Sequence, residues 1–220
     1  MIDLQKVQDA KHIVLKCQSS SFAHADALYS FLLSLEKRVS LVTQSEIDRR
    51  LSFLPWFKKV RTNLPSSAEY IVEVEADVVG VREFFKRVNF KLNKKIATSL
   101  YSALLIEFEN FQSSRCDGIT FALAAELIES GAEYRVADTM INKREPLALF
   151  RLRGQLFLTM RVHNSAKSAS LFISDEILEA TGASLEDAYL VMKETLKLVH
   201  LQSVELRDSE NKIIKLIKDV

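Results

Sequence analysis

Residues 13–35 read IVLKCQSSSFAHADALYSFLLSL, and three segments of different character follow one another in this stretch. A short apolar run at 13–15 leads into a polar, serine-rich bend at 17–21. From about Asp26 onward, apolar residues recur at 27, 28, 31, 32 and 35, which is the spacing of one helical face. Strand, polar loop and helix in this order open a doubly wound α/β domain, and such loops are where these sheets bind ligands.

Two further apolar runs, at 39–42 and 70–74, follow that helix. Helical spacing reappears in five segments, at 78–88, 94–105, 121–130, 136–142 and 147–158. Gly131 follows the third of these segments at a position where glycine commonly ends a helix. Short strands alternating with helices predict an α/β domain over residues 1–157. We expect a mainly parallel sheet with helices on both faces, in the order strand 13–16, strand 39–42, strand 70–74.

The pattern changes near residue 157, where we place a domain boundary. Later segments predict strands on either side of a polar turn at 163–167, helices at 175–180 and 184–198, and a hairpin at 204–217. Ser184 and Asp187 have the spacing of a helix start, although a capping box usually has Glu or Gln at the second position. Residues 158–220 are therefore expected to form a small C-terminal α+β domain.

Composition excludes several classes of protein. A hydrophobic content of 48% and a net charge of +1 favour a folded core over disorder, and argue against nucleic-acid binding driven by bulk charge. The two cysteines, Cys17 and Cys116, lack the spacing of a metal site. The first ten residues are too polar for a signal peptide, and no apolar run approaches the length of a membrane span. These features predict a soluble, cytoplasmic protein with no role in a membrane.

Residues 12–42 and 92–132 resemble the DHH phosphoesterase superfamily, in particular its oligoribonuclease and nucleotide phosphatase branch. That family opens with a strand, a loop of the type His-x-Asn-Pro-Asp-Gly-Asp-Ala and a helix. Later it has an Ala-Thr-x-Leu-Tyr helix, a Thr-Asp-Thr-Gly turn and a helix with Phe-x-x-Ala-Ala-x-Leu. The closest matches here are Ala97-Thr98-x-Leu100-Tyr101 and Phe121-x-x-Ala124-Ala125-x-Leu127. Residues 159–217 are similar to the start of the family's C-terminal domain.

The resemblance implies a centre of two divalent metals, usually manganese, that activate a water and hold phosphate oxygens. Most of the implied ligands are replaced in this chain. The first-loop histidine falls at Ser20, the Asn-Pro at Phe22-Ala23 and the first aspartate at His24, whereas the second aspartate is kept as Asp26. Phe22 also places an apolar ring within the loop that should carry polar ligands.

Later parts of the implied site are altered as well. The aspartate of the third strand falls at or near Glu75, and that of the Thr-Asp-Thr-Gly turn falls at Glu107. The Asp-His-His motif is absent, because the chain passes from Glu75 almost directly into the next helix. The sequence ends at Val220, before the position of the C-terminal glycine-rich motif, so we expect a truncated second domain.

Four side chains remain as candidate metal ligands: His24, Asp26, Glu75 and Glu107. In one interpretation they meet at the ends of adjacent strands and hold a single Mn²⁺ or Mg²⁺. In the other, His24 and Asp26 stabilise a helix start, where aspartate is favoured, and both glutamates are solvated. The number of lost ligands favours the second interpretation, so we expect no cofactor and assign no catalytic residue.

Ser19, Ser20 and Ser21 precede the first long helix and are candidate phosphate-binding residues, because backbone N–H groups at a helix start bind anions. A polar loop whose hydroxyls bond locally is the alternative. Two basic sets are either phosphate contacts or solvated helix faces: Lys91, Lys94, Lys95, and Lys143, Arg144, Arg151, Arg153. Cys17 is interpreted as a structural thiol, and Phe53, Trp56 and Phe57 as core residues.

The function predicted from these residues is a DHH-phosphoesterase-like protein that has lost catalysis and acts as a binding or scaffold module. The alternative is a divergent metal-dependent phosphoesterase acting on small nucleotides or short RNA. A third hypothesis is a binder of nucleotides or short RNA without turnover. Because the last segment of the family's second domain is missing, its sheet should present an open edge bearing Lys212, Lys215 and Lys218. We therefore expect a homodimer or another protein docked on this domain.

Overall fold

The computed structural model describes residues 2–142 and 145–218. These residues divide into two compact units, one on each side of the gap at 143–144. Each unit has its own sheet and its own cluster of buried apolar side chains. No helix in the described part of the chain has the length and apolarity needed to cross a membrane.

The first unit consists of a sheet flanked by helices. Its strands are β1 (His12–Lys16), β2 (Arg38–Val42), β3 (Val60–Arg61) and β4 (Tyr70–Glu73). Its helices are α1 (Leu4–Asp9), α2 (Phe22–Ser34), α3 (Val78–Arg87), α4 (Lys94–Glu107), α5 (Gly118–Glu129) and α6 (Tyr134–Asn142), with short 3₁₀ turns at Arg49–Leu51 and Phe57–Lys59.

All four strands of the first sheet are parallel, in the order β3-β2-β1-β4. The predicted parallel α/β fold is thus confirmed, with the three predicted strands present. The first strand lies between the other two rather than beside only the second, and the two-residue β3 was not predicted. Ile13 and Leu15 are fully buried, as expected for a central parallel strand covered by helices.

Helix α2 runs through the core of the first unit, and its residues from Phe22 to Leu32 are all buried. A helix that is apolar around its whole circumference is stable only when neighbours cover every side. Helix α4 is one such neighbour and is itself buried from Ile96 to Leu105. The ring of Phe31 contacts those of Phe84, Phe85 and Phe90 at centroid distances of 5.4, 5.4 and 5.0 Å.

The ends of the peripheral helices follow local sequence signals. Asp117 accepts from the Thr120 N–H group, and Thr120 accepts from the Asp117 N–H group, which forms a capping box at the start of α5. At the other end of α5, Gly131 has a φ of +91°, a conformation that favours glycine. The predicted helix end at Gly131 is confirmed.

The second unit is a four-stranded mixed sheet with helices. Its strands are β5 (Arg161–His163), β6 (Ser168–Phe172), β7 (Ser203–Arg207) and β8 (Ile213–Lys218), in the order β5-β6-β7-β8. Its helices are α7 (Leu147–Thr159), α8 (Asp175–Thr181) and α9 (Leu185–Thr195). The predicted small α+β fold is confirmed, and Ser184 with Asp187 does form a capping box at the start of α9.

The boundary between the two units falls between residues 144 and 145, earlier in the chain than the boundary that the sequence pattern places near residue 157. The difference is helix α7, which the sequence pattern attaches to the first domain. Its buried side chains, Leu149, Leu152 and Leu156, belong to the same apolar cluster as Leu171 and Val204 of the second sheet. In the structure the second core therefore includes α7.

Candidate functional site

The carboxyl ends of the parallel strands open onto a cleft in the first unit. This strand-end cleft has a volume of about 960 Å³ and is lined by residues 16–21, 44–45 and 73–76. The lining follows the ends of β1, β2 and β4, at the edge where sheets of this class bind ligands. Its position agrees with the loop singled out in the sequence.

The three candidate phosphate-binding serines all line the strand-end cleft. Ser19 accepts a hydrogen bond from the Asp48 N–H group at 2.9 Å, and Ser21 accepts one from the Gln18 N–H group at 3.1 Å. Ser20 is exposed. Two of the three hydroxyls are thus already used to shape the loop, as local bonding predicts, and phosphate binding here stays a prediction.

His24 and Glu107 form a pair at the start of α2 and the end of α4. The Nε2 atom of His24 lies 3.1 Å from Oε2 of Glu107, and the same oxygen accepts the Val78 N–H group at 2.9 Å. Partial burial alone would raise the pKa of Glu107, but the bonds from His24 and Val78 outweigh it and hold that pKa below its ordinary value. The His24 Nδ1 atom is buried without a hydrogen-bond partner in the described structure.

Asp26 is fully buried and held on both carboxylate oxygens. Oδ1 accepts the Trp56 backbone N–H group at 3.0 Å, and Oδ2 accepts the Ser99 hydroxyl at 2.7 Å. Burial raises the pKa of Asp26 to about 6, and the two hydrogen bonds oppose that rise. We call Asp26, Trp56 and Ser99 the Asp26 clasp, because their hydrogen bonds connect the turn that carries Trp56 and helix α4 to helix α2.

The turn carrying Trp56 packs on α2. The indole Nε1–H group donates to Ser30 Oγ at 2.7 Å, and the ring lies 4.9 Å from that of Tyr29. Phe53, Trp56 and Phe57 are partly buried against the first core, which agrees with their interpretation as core residues.

Cys17 is buried at the end of β1. Burial, with a contribution from the charge of Asp26, raises the pKa of its thiol to about 12. A thiol with such a pKa is protonated at neutral pH and is a poor nucleophile. This agrees with its interpretation as a structural thiol.

Glu75 stands apart from the other candidate ligands. It is exposed and lines the strand-end cleft, whereas His24 and Asp26 are fully buried. Within residues 2–142 and 145–218, no three or more His, Cys, Asp or Glu side chains form a group that could hold a metal ion. Protein donors already bind both oxygens of Asp26 and one of Glu107. The residues at the four predicted positions therefore do not fit a joint metal site, and we derive no step through one.

Three of the candidate basic residues, Lys94, Lys95 and Arg153, make local contacts in the structure. Lys94 pairs with Glu133 at 2.9 Å, and Lys95 Nζ lies 5.8 Å from the centroid of the Trp56 ring. In the second unit, Arg153 pairs with Glu145 and Glu194, both at 2.6 Å. Lys143 and Arg144 lie outside the described residues, while Lys91 and Arg151 are exposed.

The chain shares its fold with an exopolyphosphatase-related protein. That protein, from Bacteroides fragilis, superimposes with a TM-score of 0.80 at 12% identity, over 99% of this chain and 82% of its own. A family II inorganic pyrophosphatase from Methanococcus jannaschii overlaps more weakly, with a TM-score of 0.43 at 13% identity over 90% and 83% of the two chains. No family model and no curated protein matches the sequence.

The His24–Glu107 pair leads to a prediction about stability. Glu107→Gln should lower the free energy of unfolding by about 1–2 kcal/mol at pH 8, because a carboxylate that accepts two hydrogen bonds becomes a neutral amide. A pKa that is lowered on folding stabilises the protein above the unfolded-state pKa and ceases to do so as pH falls through the folded-state value. The deficit should therefore shrink below about pH 4.

Urea unfolding at pH 8 and at about pH 3 measures this difference. Glu109→Gln is the matched control, since Glu109 is an exposed glutamate two residues further along the chain. If both variants lose the same free energy of unfolding at both pH values, the hydrogen bonds of Glu107 do not stabilise the fold more than an exposed glutamate does.

Proposed function

We propose that this chain is a DHH-phosphoesterase-like protein that has lost catalysis and acts as a binding or scaffold module. The observation that carries the proposal is the Asp26 clasp. Asp26 is the one first-loop aspartate that the resemblance keeps in register, yet it is fully buried with both oxygens bound by protein groups. A carboxylate in this state holds the fold together, and Asp26 is not among the residues that line the strand-end cleft.

The neighbouring positions support the same proposal. His24 stands where the resemblance places the first aspartate, and it is paired with Glu107 in the interior. Glu107 and Glu75 are each one methylene longer than the expected aspartates, which displaces their oxygens by about 1.5 Å, one C–C bond length. Two-metal hydrolysis requires ligands held to within about half an ångström. Without the Asp-His-His motif, the remaining side chains do not supply such a set.

The strand-end cleft gives a binding module a place to hold a ligand. It is large enough for a small nucleotide, at about 960 Å³, and the exposed Ser20 and the half-buried Lys16 lie on its wall. Glu73 and Glu75 line it as well, and Glu73 pairs with Lys16 at 2.8 Å. Two carboxylates beside one paired lysine make a poor phosphate site, so we favour a protein partner over a nucleotide or short RNA for the chain as a whole.

The alternative is a divergent metal-dependent phosphoesterase acting on small nucleotides or short RNA. One observation favours it: the fold is that of an exopolyphosphatase-related protein over nearly the whole chain. In that case Mn²⁺ or Mg²⁺ would supply Lewis-acid chemistry at the strand-end cleft. The side chains would first have to leave the contacts described above.

The two functions are separated by an activity assay. Purified chain with excess Mn²⁺, offered dinucleotides or adenosine 3′,5′-bisphosphate, should release no product above the rate of a blank. Loss of a single stabilising element commonly costs a few orders of magnitude in rate, and this chain lacks several. Turnover that disappears in both Asp26→Asn and Glu107→Gln would establish the enzyme instead. Turnover that survives both changes would be traced to a contaminant.

A further inference from the structure

Strand β8 is one of the two edges of the second sheet. It spans six residues, Ile213–Lys218, and within the described residues it pairs with β7 alone. The opposite edge, β5, has only three residues. An unpaired edge presents a row of backbone N–H and C=O groups that can bond another strand. Of the two edges, β8 offers the longer row.

The side chains along β8 are unusually apolar for an exposed edge. Ile213, Ile214 and Leu216 are 51%, 39% and 44% exposed, whereas Ile217 packs on the second core. Opposite partners in the sheet explain this difference. Ile217 lies across from the buried Val204, while Leu216 lies across from Glu205 on the other face. Apolar side chains thus accompany the free backbone groups on the face away from the core.

Three lysines give this edge a positive charge. Lys212 precedes the strand and pairs with Glu210 at 2.6 Å. Lys215 places its Nζ atom 5.5 Å from the centroid of the Tyr189 ring, and Lys218 lies across from Ser203. Among the described residues, neither Lys215 nor Lys218 forms an ion pair. Glu205, which lies across the sheet from Leu216, already pairs with Arg207.

We propose that the β8 edge binds an extended, acidic segment of another protein, which adds to the second sheet as a fifth strand. Main-chain hydrogen bonds would supply affinity, and the exposed Ile213 and Leu216 would take alternate apolar side chains. Lys215 lies on the face of Ile217, and Lys218 lies on the face of Leu216. The two lysines would therefore select glutamate or aspartate on both faces of the partner strand. The inference rests on the proposed role as a binding module and names the chemistry of its partner.

The same lysines argue against a second copy of this chain as the occupant. Two β8 strands paired antiparallel over their full length would place Lys215 of one copy opposite Leu216 and diagonal to Lys218 of the other, and like charges this close oppose pairing. Lysines on an edge oppose pairing between identical copies in this way. An acidic strand meets no such barrier, so one set of side chains both rejects the copy and selects the partner.

The test uses the full chain and a synthetic probe. The probe is an acetylated, amidated eight-residue peptide with the sequence Glu-Glu-Val-Val repeated twice, which carries glutamate and valine on both faces of the strand. Hydrogen exchange of residues 213–218 is followed while the peptide is titrated. We expect saturable binding that slows exchange in β8 and weakens as salt is added. Methylating every backbone nitrogen of the peptide should abolish binding, because neither edge of the peptide can then donate hydrogen bonds.

A charge exchange is the sharper control. The double variant Lys215→Glu, Lys218→Glu should bind the acidic peptide at least tenfold more weakly and should gain binding to a lysine–valine peptide. The matched control, Lys167→Glu with Lys193→Glu, changes the same charge at exposed positions elsewhere in the second unit and should bind like the unchanged chain. Circular dichroism confirms that both variants fold.

Three results would overturn the proposal: no binding at millimolar peptide, binding that is insensitive to the charge exchange, or a dimer held together through β8 in sedimentation. None of these involves phosphoesterase turnover. Failure of this inference is therefore distinguishable from failure of the proposed loss of catalysis, which the activity assay measures separately.

Discussion

Asp26→Asn should gain about 2 kcal/mol of stability relative to the unchanged chain as the pH is raised from 4 to 8. The reason is the burial of the carboxylate, which raises the pKa of Asp26 from its ordinary 3.8 to about 6. Between about pH 3.8 and pH 6, Asp26 keeps its proton in the folded chain and releases it in the unfolded chain. Raising the pH through this window therefore destabilises the folded chain, and asparagine removes the effect because it does not titrate.

Asparagine is expected to keep the contacts of the Asp26 clasp. Its carbonyl can accept the Trp56 N–H group, and its amide can donate to Ser99 Oγ. The Ser99 hydroxyl then remains free to donate to the Lys95 carbonyl, which lies 3.0 Å away. The amide thus resembles the protonated acid, so the two proteins should be of similar stability at pH 4.

Denaturant unfolding of both proteins across this pH range gives the comparison. Asp26→Ala is the control for lost contacts, since it leaves the Trp56 N–H group without its acceptor, while the Ser99 hydroxyl can still donate to the Lys95 carbonyl. It should lose about 1–3 kcal/mol at pH 4. Because alanine does not titrate either, its stability relative to the unchanged chain should rise with pH as much as that of Asp26→Asn, so the two variants should differ by a constant amount. A difference between Asp26→Asn and the unchanged chain that stays constant from pH 4 to 8 would refute the raised pKa. An increase in melting temperature with Mn²⁺ that only the unchanged chain shows would identify Asp26 as a metal ligand.

The sequence predicts most of the fold because the relevant signals are local. Apolar runs at 13–16, 39–42 and 70–74 alternate with helical spacing, and this alternation is the signature of a parallel sheet. Gly131 and the pair Ser184–Asp187 mark helix ends through bonds within a few residues of one another. The lateral order of the strands is not local. The position of β1 in the middle of the sheet depends on which connections between strands the packing of α2 allows. The spacing of apolar residues along the sequence does not record this.

The Asp26 clasp could not be predicted for the same reason. Trp56 and Ser99 lie 30 and 73 residues after Asp26 in the chain. Nothing in the sequence around these three residues marks them as partners. An aspartate at a helix start is typical of an exposed cap. The run of small and apolar residues around it, from Ala23 to Ala27, is the one signal of full burial. His24 and Glu107 are 83 residues apart, and no sequence pattern predicts that they pair.

Leu152→Ala should destabilise the second unit by about 2–5 kcal/mol, the usual cost of emptying a fully buried leucine site. Leu152 is fully buried on α7 and lies in one cluster with Leu171 of β6 and Val204 of β7. Such a loss should speed hydrogen exchange of the Leu171 and Val204 amides at least thirtyfold, since each 1.4 kcal/mol corresponds to a factor of about ten.

This variant also tests where the domain boundary lies. If α7 belongs to the second core, the faster exchange should appear in β6 and β7. If the helix belongs to the first domain, as the pattern up to residue 157 suggests, the loss should appear in β1 and β2 instead. Leu190→Ala is the matched control: Leu190 is 53% exposed on α9, and its truncation should change exchange little. A cavity weakens chiefly the core that surrounds it. If truncating Leu152 speeds exchange in the second sheet alone, α7 therefore belongs to the core of the second unit.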